Sequence, residues 1–368
     1  MSGIYIHIPF CVQKCKYCDF ASFPSQISKS AEYIDALVYE MEKYRGCPAD
    51  TVYIGGGTPT CLDNSCLETL FENVNKLFNL EKDAEITVEA NPGTVNFEKA
   101  QLLKYFNVNR ISIGAQSFND NLLKILGRIH TSQETVETVS LLRDAGFKNL
   151  SLDLMYALPE QTLEDLDESL NKLISLNPEH ISCYGLKYEE GTAFGEMLER
   201  GKLKETDEDT FADMYELILG KLKENGYIHY EISNFAKDGY KSRHNLKYWR
   251  CDDYIGFGVA AASCLGLRRF THSPKLDDYF NGYILNEDYV MSKDEAMREF
   301  VILGLRVLDE GVNKAEFEKR FSCKIDDVFK DQLSRFDAFL INNENALKLK
   351  ENAALVSNSI LCEFINEL

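Results

Sequence analysis

The chain has 368 residues, 45% of them apolar, with 40 Lys and Arg against 59 Asp and Glu and a formal charge of -19. That length and apolar content suit one large α/β domain with a smaller appendage and exclude a disordered chain, while the scattered basic residues and the net acidity argue against broad contact with nucleic acid. No apolar run reaches the roughly 18 uncharged residues of a membrane span, and Met-Ser-Gly leads straight into a strand, so a cytoplasmic location is expected.

In chain order, six short β-branched runs stand out: IYIHI (4–8), TVYIG (51–55), EITVEA (85–90), RISIG (110–114), LSLDLMY (150–156) and HISCYGL (180–186). Between them lie stretches with apolar residues at helical spacing, such as SAEYIDALVYEMEKY, SCLETLFENVNKLF and LEDLDESLNKLISL. Strand and helix in alternation predict parallel strands joined by right-handed crossovers, as an open doubly wound sheet or a complete or partial barrel. After residue 186 the alternation stops; a helix over 207–225, the run YIHYEISNFA and an aromatic, glycine-bearing segment follow. From about Ser292 a helical pattern leads into a small C-terminal module, with KLKENAALVSN read as a hairpin.

The polar and glycine-rich residues gather at the ends of those strands, where such folds carry their sites. His7 and a cysteine triplet follow the first strand, GGGTPT the second, Glu89 and Asn91 the third and Gln116 the fourth, while Asp153 lies in the fifth. The triplet is Cys11-x3-Cys15-x2-Cys18. Eleven cysteines, an odd number, in a chain expected to be cytoplasmic argue for reduced thiols rather than a disulfide framework. Structural zinc takes four Cys or His ligands, commonly from paired clusters, and no second Cys-x2-Cys occurs downstream. A cubane iron-sulfur cluster held by three thiolates fits better, because it leaves one iron free for a substrate or cofactor; zinc completed by His7 or a distant Cys, and coincidence, stay open.

This triplet, with Tyr17 before its last Cys and GGGTPT after the second strand, resembles the radical S-adenosylmethionine (SAM) superfamily. Within it, YIHIPFC is similar to the coproporphyrinogen III oxidase-like branch, which holds oxygen-independent oxidases and the HemW heme chaperones. The resemblance covers nearly the whole chain. It implies a partial (β/α)6 TIM-like barrel over residues 1–190, a barrel extension over 191–290 and a smaller C-terminal α+β domain, helical and winged-helix-like, over 291–368. It also implies a 4Fe-4S cluster on Cys11, Cys15 and Cys18, and SAM bound through the open iron and cleaved to methionine and a 5'-deoxyadenosyl radical. By the same resemblance Gly56, Gly57 and Thr58 would meet the methionine part of SAM, Glu89 and Gln116 the ribose, and Arg128 the carboxylate. Asp153 completes that set, with Tyr5, Tyr17 and the Gly185-Leu186-Lys187 turn as neighbours of adenine and cluster.

Three features separate the branches. The oxidases continue the motif to a fourth Cys, where this chain has Phe20, and they carry a longer region ahead of the first strand. Further on, His244-Asn245-Leu246-Lys247-Tyr248-Trp249 is similar to the HNxxYW motif associated with heme in the chaperones. A neutral imidazole can ligate heme iron, and Tyr248 and Trp249 offer apolar area to a porphyrin face; the plainer reading is a packing cluster around a hydrogen-bonded His. The resemblance therefore implies a heme-binding chaperone that delivers heme to heme proteins, membrane-bound respiratory enzymes among them, with a peripheral membrane contact and a homodimer left open. Binding is thus favoured over catalysis. The rivals are a coproporphyrinogen III oxidase and a radical SAM enzyme on another substrate.

Overall fold

The computed structural model describes residues 1–365. All six predicted strands form: β1 (Ser2–Ile8), β2 (Pro48–Gly56), β3 (Asn79–Ala90), β4 (Arg110–Gln116), β5 (Leu150–Tyr156) and β6 (His180–Gly185). They pair in that order and all in parallel. Helices cross between them, among them Ser30–Met41, Asn64–Leu77 and Leu163–Ser175, on the stretches the periodicity marks. Asp63 and Thr162 cap the second and third of these by accepting the backbone N–H three residues on, which satisfies donors that the first turn leaves orphaned.

Strand alternation decides what the barrel holds. In β4, Ile111, Ile113 and Ala115 are fully buried and belong to the outward phase that packs under the helices. Arg110, Ser112, Gly114 and Gln116 take the opposite phase and line the interior cavity. The apolar phases of the six strands join one core with the crossover helices, including Ile4, Ile6, Val52, Ile54, Val88, Leu152 and Ile181. The barrel interior is accordingly polar, which a purely structural barrel would not need.

The sheet extends past these six strands on both sides. Strand β8 (Asn234–Ala236) pairs antiparallel with β6 and carries β7 (Ile228–Glu231) beyond it. On the other side β9 (Tyr254–Phe257) lies parallel to β1, followed by the antiparallel strands β10 (Ala262–Leu265), β11 (Arg268–His272) and β12 (Leu285–Val290). The segment after residue 190 thus contributes strands to both edges of a twelve-stranded sheet and leaves the barrel open between β1 and β6.

A second hydrophobic core, with Phe300, Val301, Leu305, Phe317, Phe329 and Leu347, sits in the C-terminal region. It is built from the helix Lys293–Leu305, shorter helices and a three-stranded antiparallel sheet of β13 (Val312–Asn313), β14 (Leu340–Asn342) and β15 (Ala346–Leu349). The hairpin expected over KLKENAALVSN lies one element earlier, between β14 and β15. Its turn is fixed by the Asn343 side chain, which accepts from the backbone N–H groups of Asn345 and Ala346. The expected segment instead ends β15 and runs through a short 3-10 turn into a helix.

Candidate cofactor site at the barrel mouth

The loop after β1 brings Cys11, Cys15 and Cys18 to the rim of a cavity of about 320 Å³, facing the ends of β2 to β6. All three thiols are free, and burial raises Cys11 and pushes Cys18 up to about 11. The loop is anchored from both sides. Lys16 N donates to Leu126 O, and His7 Nε2 donates to Ala21 O at 2.8 Å, while His7 Nδ1 accepts from the Tyr5 hydroxyl at 2.9 Å. Burial holds the His7 imidazole neutral by lowering it to about 4.

Gly56 has φ +112 and faces the His7 ring, where a Cβ would stand 2.6 Å from Cε1. Gly57 passes so close to the Phe10 carbonyl that any side chain there would collide with it. The β2 turn can therefore approach the cysteine loop only as glycine, and Gly57 N and Thr58 N donate to Ile8 O and Phe10 O at 2.8 and 2.7 Å.

A polar relay ties this turn to the cysteines. Asn91 Nδ2 donates to Thr58 Oγ1 at 2.7 Å, and Arg128 Nη2 donates to Asn91 Oδ1 at 2.6 Å and to Gly114 O at 2.7 Å. Arg128 Nη1 reaches Cys15 Sγ at 3.6 Å. On the far wall Glu89 accepts from Tyr53 Oη at 2.7 Å and from Gly56 N at 3.0 Å. Glu89 lines the cavity, and burial first, then the neighbouring Asp153, raises its carboxyl to about 7. Asp153, also raised by burial, accepts from Ser112 Oγ at 3.3 Å. Gln116, at φ +64, completes the rim at the end of β4.

Cys11, Cys15, Tyr17, Cys18, Gly56, Gly57, Thr58, Glu89, Gln116, Arg128 and Asp153 thus line one cavity. Tyr5 does not. Its ring lies behind Tyr53, 6.2 Å between centroids, and its hydroxyl is taken by His7, so Tyr53 rather than Tyr5 lines the cavity. Tyr17 packs at the edge of a small apolar cluster with Leu122, Met155 and Leu186. Sequence reasoning missed Tyr53, Arg110, Ser182 and Asn245 as cavity residues. The signal for the first three was available in the inward phase of each strand.

The cofactors fit these residues. Three free thiols on one short loop, beside a guanidinium and a cavity walled by backbone and carboxylate acceptors, form a donor set for a cluster with an open iron. Among the described residues, no group of three or more His, Cys, Asp or Glu converges as a single metal ion would require.

The HNLKYW segment forms the helix Arg243–Trp249 and closes the opposite end of the barrel. Glu85 at the start of the inward part of β3 accepts from Arg243 N at 3.1 Å and His244 N at 3.0 Å, a carboxylate on a helix N-terminus. The His244 ring stacks on Tyr53, 5.2 Å between centroids, beside Gly3, whose Cβ would come within 3.2 Å of Cε1. His244 is 1% exposed and both its nitrogens are engaged, Nδ1 with Thr51 Oγ1 and Nε2 with Tyr248 Oη, each at 2.8 Å. The residue expected as a heme ligand is therefore a buried pin in the barrel floor, and it lines neither the cavity at the cysteines nor the two cavities near Trp249. Tyr248 shares that position, whereas Trp249 points away, under the Arg306 guanidinium at 4.4 Å from the ring centroid.

Two sequence models match the chain: the radical SAM superfamily over residues 5–173 and the HemN C-terminal domain over residues 291–356. Along its full length the chain is 36% identical to the heme chaperone HemW of Bacillus subtilis (strain 168), with 100% of both chains covered. The chain belongs to the HemW family of the radical SAM superfamily. The HemW of Escherichia coli (strain K12) is also 36% identical, over 99% of this chain and 98% of its own length. Among solved structures the fold is similar to coproporphyrinogen III oxidase (HemN) from Escherichia coli, a radical SAM enzyme, with a TM-score of 0.85 over 99% of this chain and 90% of that one. At 23% identity that likeness carries the fold alone. No described helix of this HemW-family chain is long and apolar enough to cross a membrane.

Proposed function

We propose that the chain is a heme chaperone that carries a 4Fe-4S cluster and SAM at the barrel mouth and hands heme to heme proteins, membrane-bound respiratory enzymes among them. The observation that carries this reading is the full-length similarity to proteins named heme chaperones, together with Phe20, 62% exposed, where the oxidases continue to a fourth Cys. Cys11, Cys15 and Cys18 would hold the cluster. Gly56, Gly57, Thr58, Arg128, Glu89, Gln116 and Asp153 would hold SAM, with Tyr17 beside the cluster. Bound there, SAM supplies one-electron chemistry; the chain's own residues orient it and keep water out.

Heme itself is best accommodated at the other end of the motif helix. Between the barrel floor and the C-terminal core lies a cavity of about 910 Å³, lined by Lys247, Cys251, Arg269, Met291, Phe300 and Arg320 among others. An adjoining cavity of about 640 Å³ is lined by Trp249 and shares Asp252, Phe300 and Arg320 with it. Ligand sites of drug-sized molecules are typically about 300–1,000 Å³, so the larger cavity has room for a macrocycle. Aromatic faces, cationic side chains for carboxylates and soft sulfur at Cys251 and Met291 are the groups a heme site uses.

The test is anaerobic reconstitution with iron and sulfide, then heme titration of wild type, His244→Ala and Trp249→Leu by Soret absorbance, with a coproporphyrinogen assay on the same preparation. About four irons per chain, stoichiometric heme and no decarboxylation are expected. Decarboxylation without stoichiometric heme would make the chain an oxidase.

A further inference from the structure

The twelve-stranded sheet ends differently on its two sides. At β7 the edge is met by the chain leading out of the helix Lys293–Leu305: Glu231 bridges Val307, and Leu308 N donates to Tyr230 O at 2.9 Å. At β12 the edge is open. Its inner side pairs with β11 from Leu285 to Val290, and among the described residues no strand lies on its outer side. Every residue from Asn286 to Val290 is exposed, so neither face of the strand is covered, and Tyr289 and Val290 stand at 50% and 70%. The edge strands of the smaller sheet have only two and three residues, whereas β12 has six. An edge of that length, with open backbone donors and acceptors and exposed apolar side chains, is a template for a further strand.

That edge borders the larger cavity beside the C-terminal core. Leu267 and Arg269, from the start of β11, and Met291, directly after β12, line the cavity of about 910 Å³. Met291 N donates to Leu267 O at 2.9 Å, which carries the β11–β12 ladder to the cavity wall. A segment added along β12 would end at the same wall. Resting on the heme reading above, we propose that the outer edge of β12 is where a heme-accepting protein docks, by adding an extended segment in which Lys or Arg alternates with apolar residues. Main-chain hydrogen bonds along the edge supply the attachment, and alternate side chains supply the selectivity.

The charges select this occupant. Asp288 is neutralised by Arg268, with Nε 2.8 Å from Oδ1, whereas among the described residues Glu287 forms no salt bridge. A cation on an added strand therefore has an open carboxylate to meet, next to the apolar faces of Tyr289 and Val290. A second copy of the chain fits badly. Two-fold antiparallel pairing over all six residues would set Glu287 opposite Asp288 in both directions, and like charges opposite one another destabilise a ladder. Each copy also carries a formal charge of -19. The two carboxylates thus hold identical edges apart and leave this one open to a strand of opposite sign.

The experiment uses the full chain, reconstituted and loaded with heme, and three fluorescein-labelled heptapeptides as probes. One alternates Lys and Val, the second is the same with every backbone nitrogen methylated, and the third alternates Glu and Val. Anisotropy at one ionic strength reads binding. The Lys-Val peptide is expected to bind about fivefold or more tighter than the other two. It should slow amide hydrogen exchange over residues 285–290 and lose about threefold in affinity for Glu287→Lys, an exposed position. The methylated peptide has the same charge but no donors for a ladder, so equal binding would reduce the effect to general attraction by an acidic chain and overturn the proposal. Protection of 285–290 that rises with chain concentration in the absence of peptide would overturn it too, by making a second copy the occupant. Handover is read as transfer of heme to excess apomyoglobin: saturating Lys-Val peptide should speed it about twofold or more, since docking beside the cavity is coupled to what the cavity holds. Unchanged transfer would overturn the link to handover. Soret stoichiometry before any peptide is added scores the heme reading separately. A chain that takes up no heme overturns that reading and the acceptor's identity with it, while peptide binding and amide protection still decide the edge.

Discussion

His244 Nε2 and Tyr248 Oη are hydrogen-bonded at 2.8 Å within one helix, and this contact sets what the HNLKYW motif can do. The imidazole is neutral, lowered to about 3 chiefly by burial and then by Lys247, and its other nitrogen is fixed by Thr51. Heme ligation by His244 would require Tyr248 to leave and the barrel floor to open. The motif is then better understood as a plug whose far end, at Trp249, meets the C-terminal core.

His244→Ala should destabilise the chain by about 2–4 kcal/mol, because it leaves the Thr51 and Tyr248 hydroxyls without their partner and opens a hole under Tyr53. Tyr248→Phe removes one hydroxyl and should cost about 1 kcal/mol. Denaturant unfolding at pH 7.5 reads both. The sign of the pH effect follows from the lowered imidazole: His244 contributes stability that is complete above 6.5, its ordinary value, and is lost as pH falls toward 3. The wild type should therefore lose more stability between pH 6.5 and 5 than His244→Ala does. If heme titration of folded His244→Ala keeps wild-type stoichiometry, the pin is structural; if Tyr248→Phe, with Nε2 freed, binds heme more tightly, His244 is a ligand after all.

Glu89 behaves in the opposite sense. A carboxyl raised to about 7 keeps its proton in the folded chain after the unfolded chain has lost it, so its contribution is present below 4.5 and is lost as pH rises through 7. Glu89→Gln should flatten that loss, making the SAM-free protein more stable than wild type at pH 8. The same substitution should weaken SAM binding by about tenfold, since an amide replaces the acceptor for hydroxyl donors and one charge-assisted bond is worth about 1.5–3 kcal/mol. Equilibrium dialysis at pH 8 measures the second effect. Unchanged SAM affinity would remove Glu89 from the site.

Replacing any one of Cys11, Cys15 or Cys18 by Ala should abolish iron retention after reconstitution while leaving the far-ultraviolet circular dichroism unchanged. The loop around them is held by His7, Lys16 and the Gly57–Thr58 turn rather than by the thiols themselves. Iron analysis after gel filtration checks it; full iron in Cys18→Ala would point to a different ligand set. Gly57→Ala should fail for a separate reason, the collision with the Phe10 carbonyl, and is expected to lower the folded yield.

Much of this was legible in the sequence because strand periodicity and the polar residues at strand ends are local signals. Glu89, Gln116 and Asp153 could be placed on one rim from chain position alone, and the structure brings them to one cavity. Tyr5 and Tyr53 could not be told apart, since both point inward from neighbouring strands and are paired across the ladder; which one meets the cavity depends on His7 capturing the Tyr5 hydroxyl. The surroundings of His244 were hidden for a similar reason. A histidine in a motif next to two aromatics looks the same in sequence whether it faces a ligand or a barrel floor, and only the long-range contacts with Thr51 and Glu85 decide it. Strand β9 was hidden because its partner, β1, lies some 250 residues earlier, and no local pattern announces a parallel neighbour at that separation.

The junction between barrel extension and C-terminal core offers a prediction with its own reporter. Arg306 Nη2 donates to Glu231 Oε1 at 3.1 Å, and Glu231 is 1% exposed, so the pair is largely withdrawn from water. The same guanidinium lies over Trp249, the chain's only tryptophan, and Glu231 also receives Ser233 N and the Asn234 side chain. Arg306→Ala leaves a buried carboxylate without its cation and should cost about 3–5 kcal/mol. Arg306→Lys keeps the charge but not the planar stacking, and should cost less while still changing the Trp249 emission. If heme occupies the cavities beside Trp249, its addition to wild type should quench that emission in step with the rise in Soret absorbance. Quenching that is absent while heme binds stoichiometrically would move the heme site away from this junction and leave the Arg306–Trp249 contact a purely structural one.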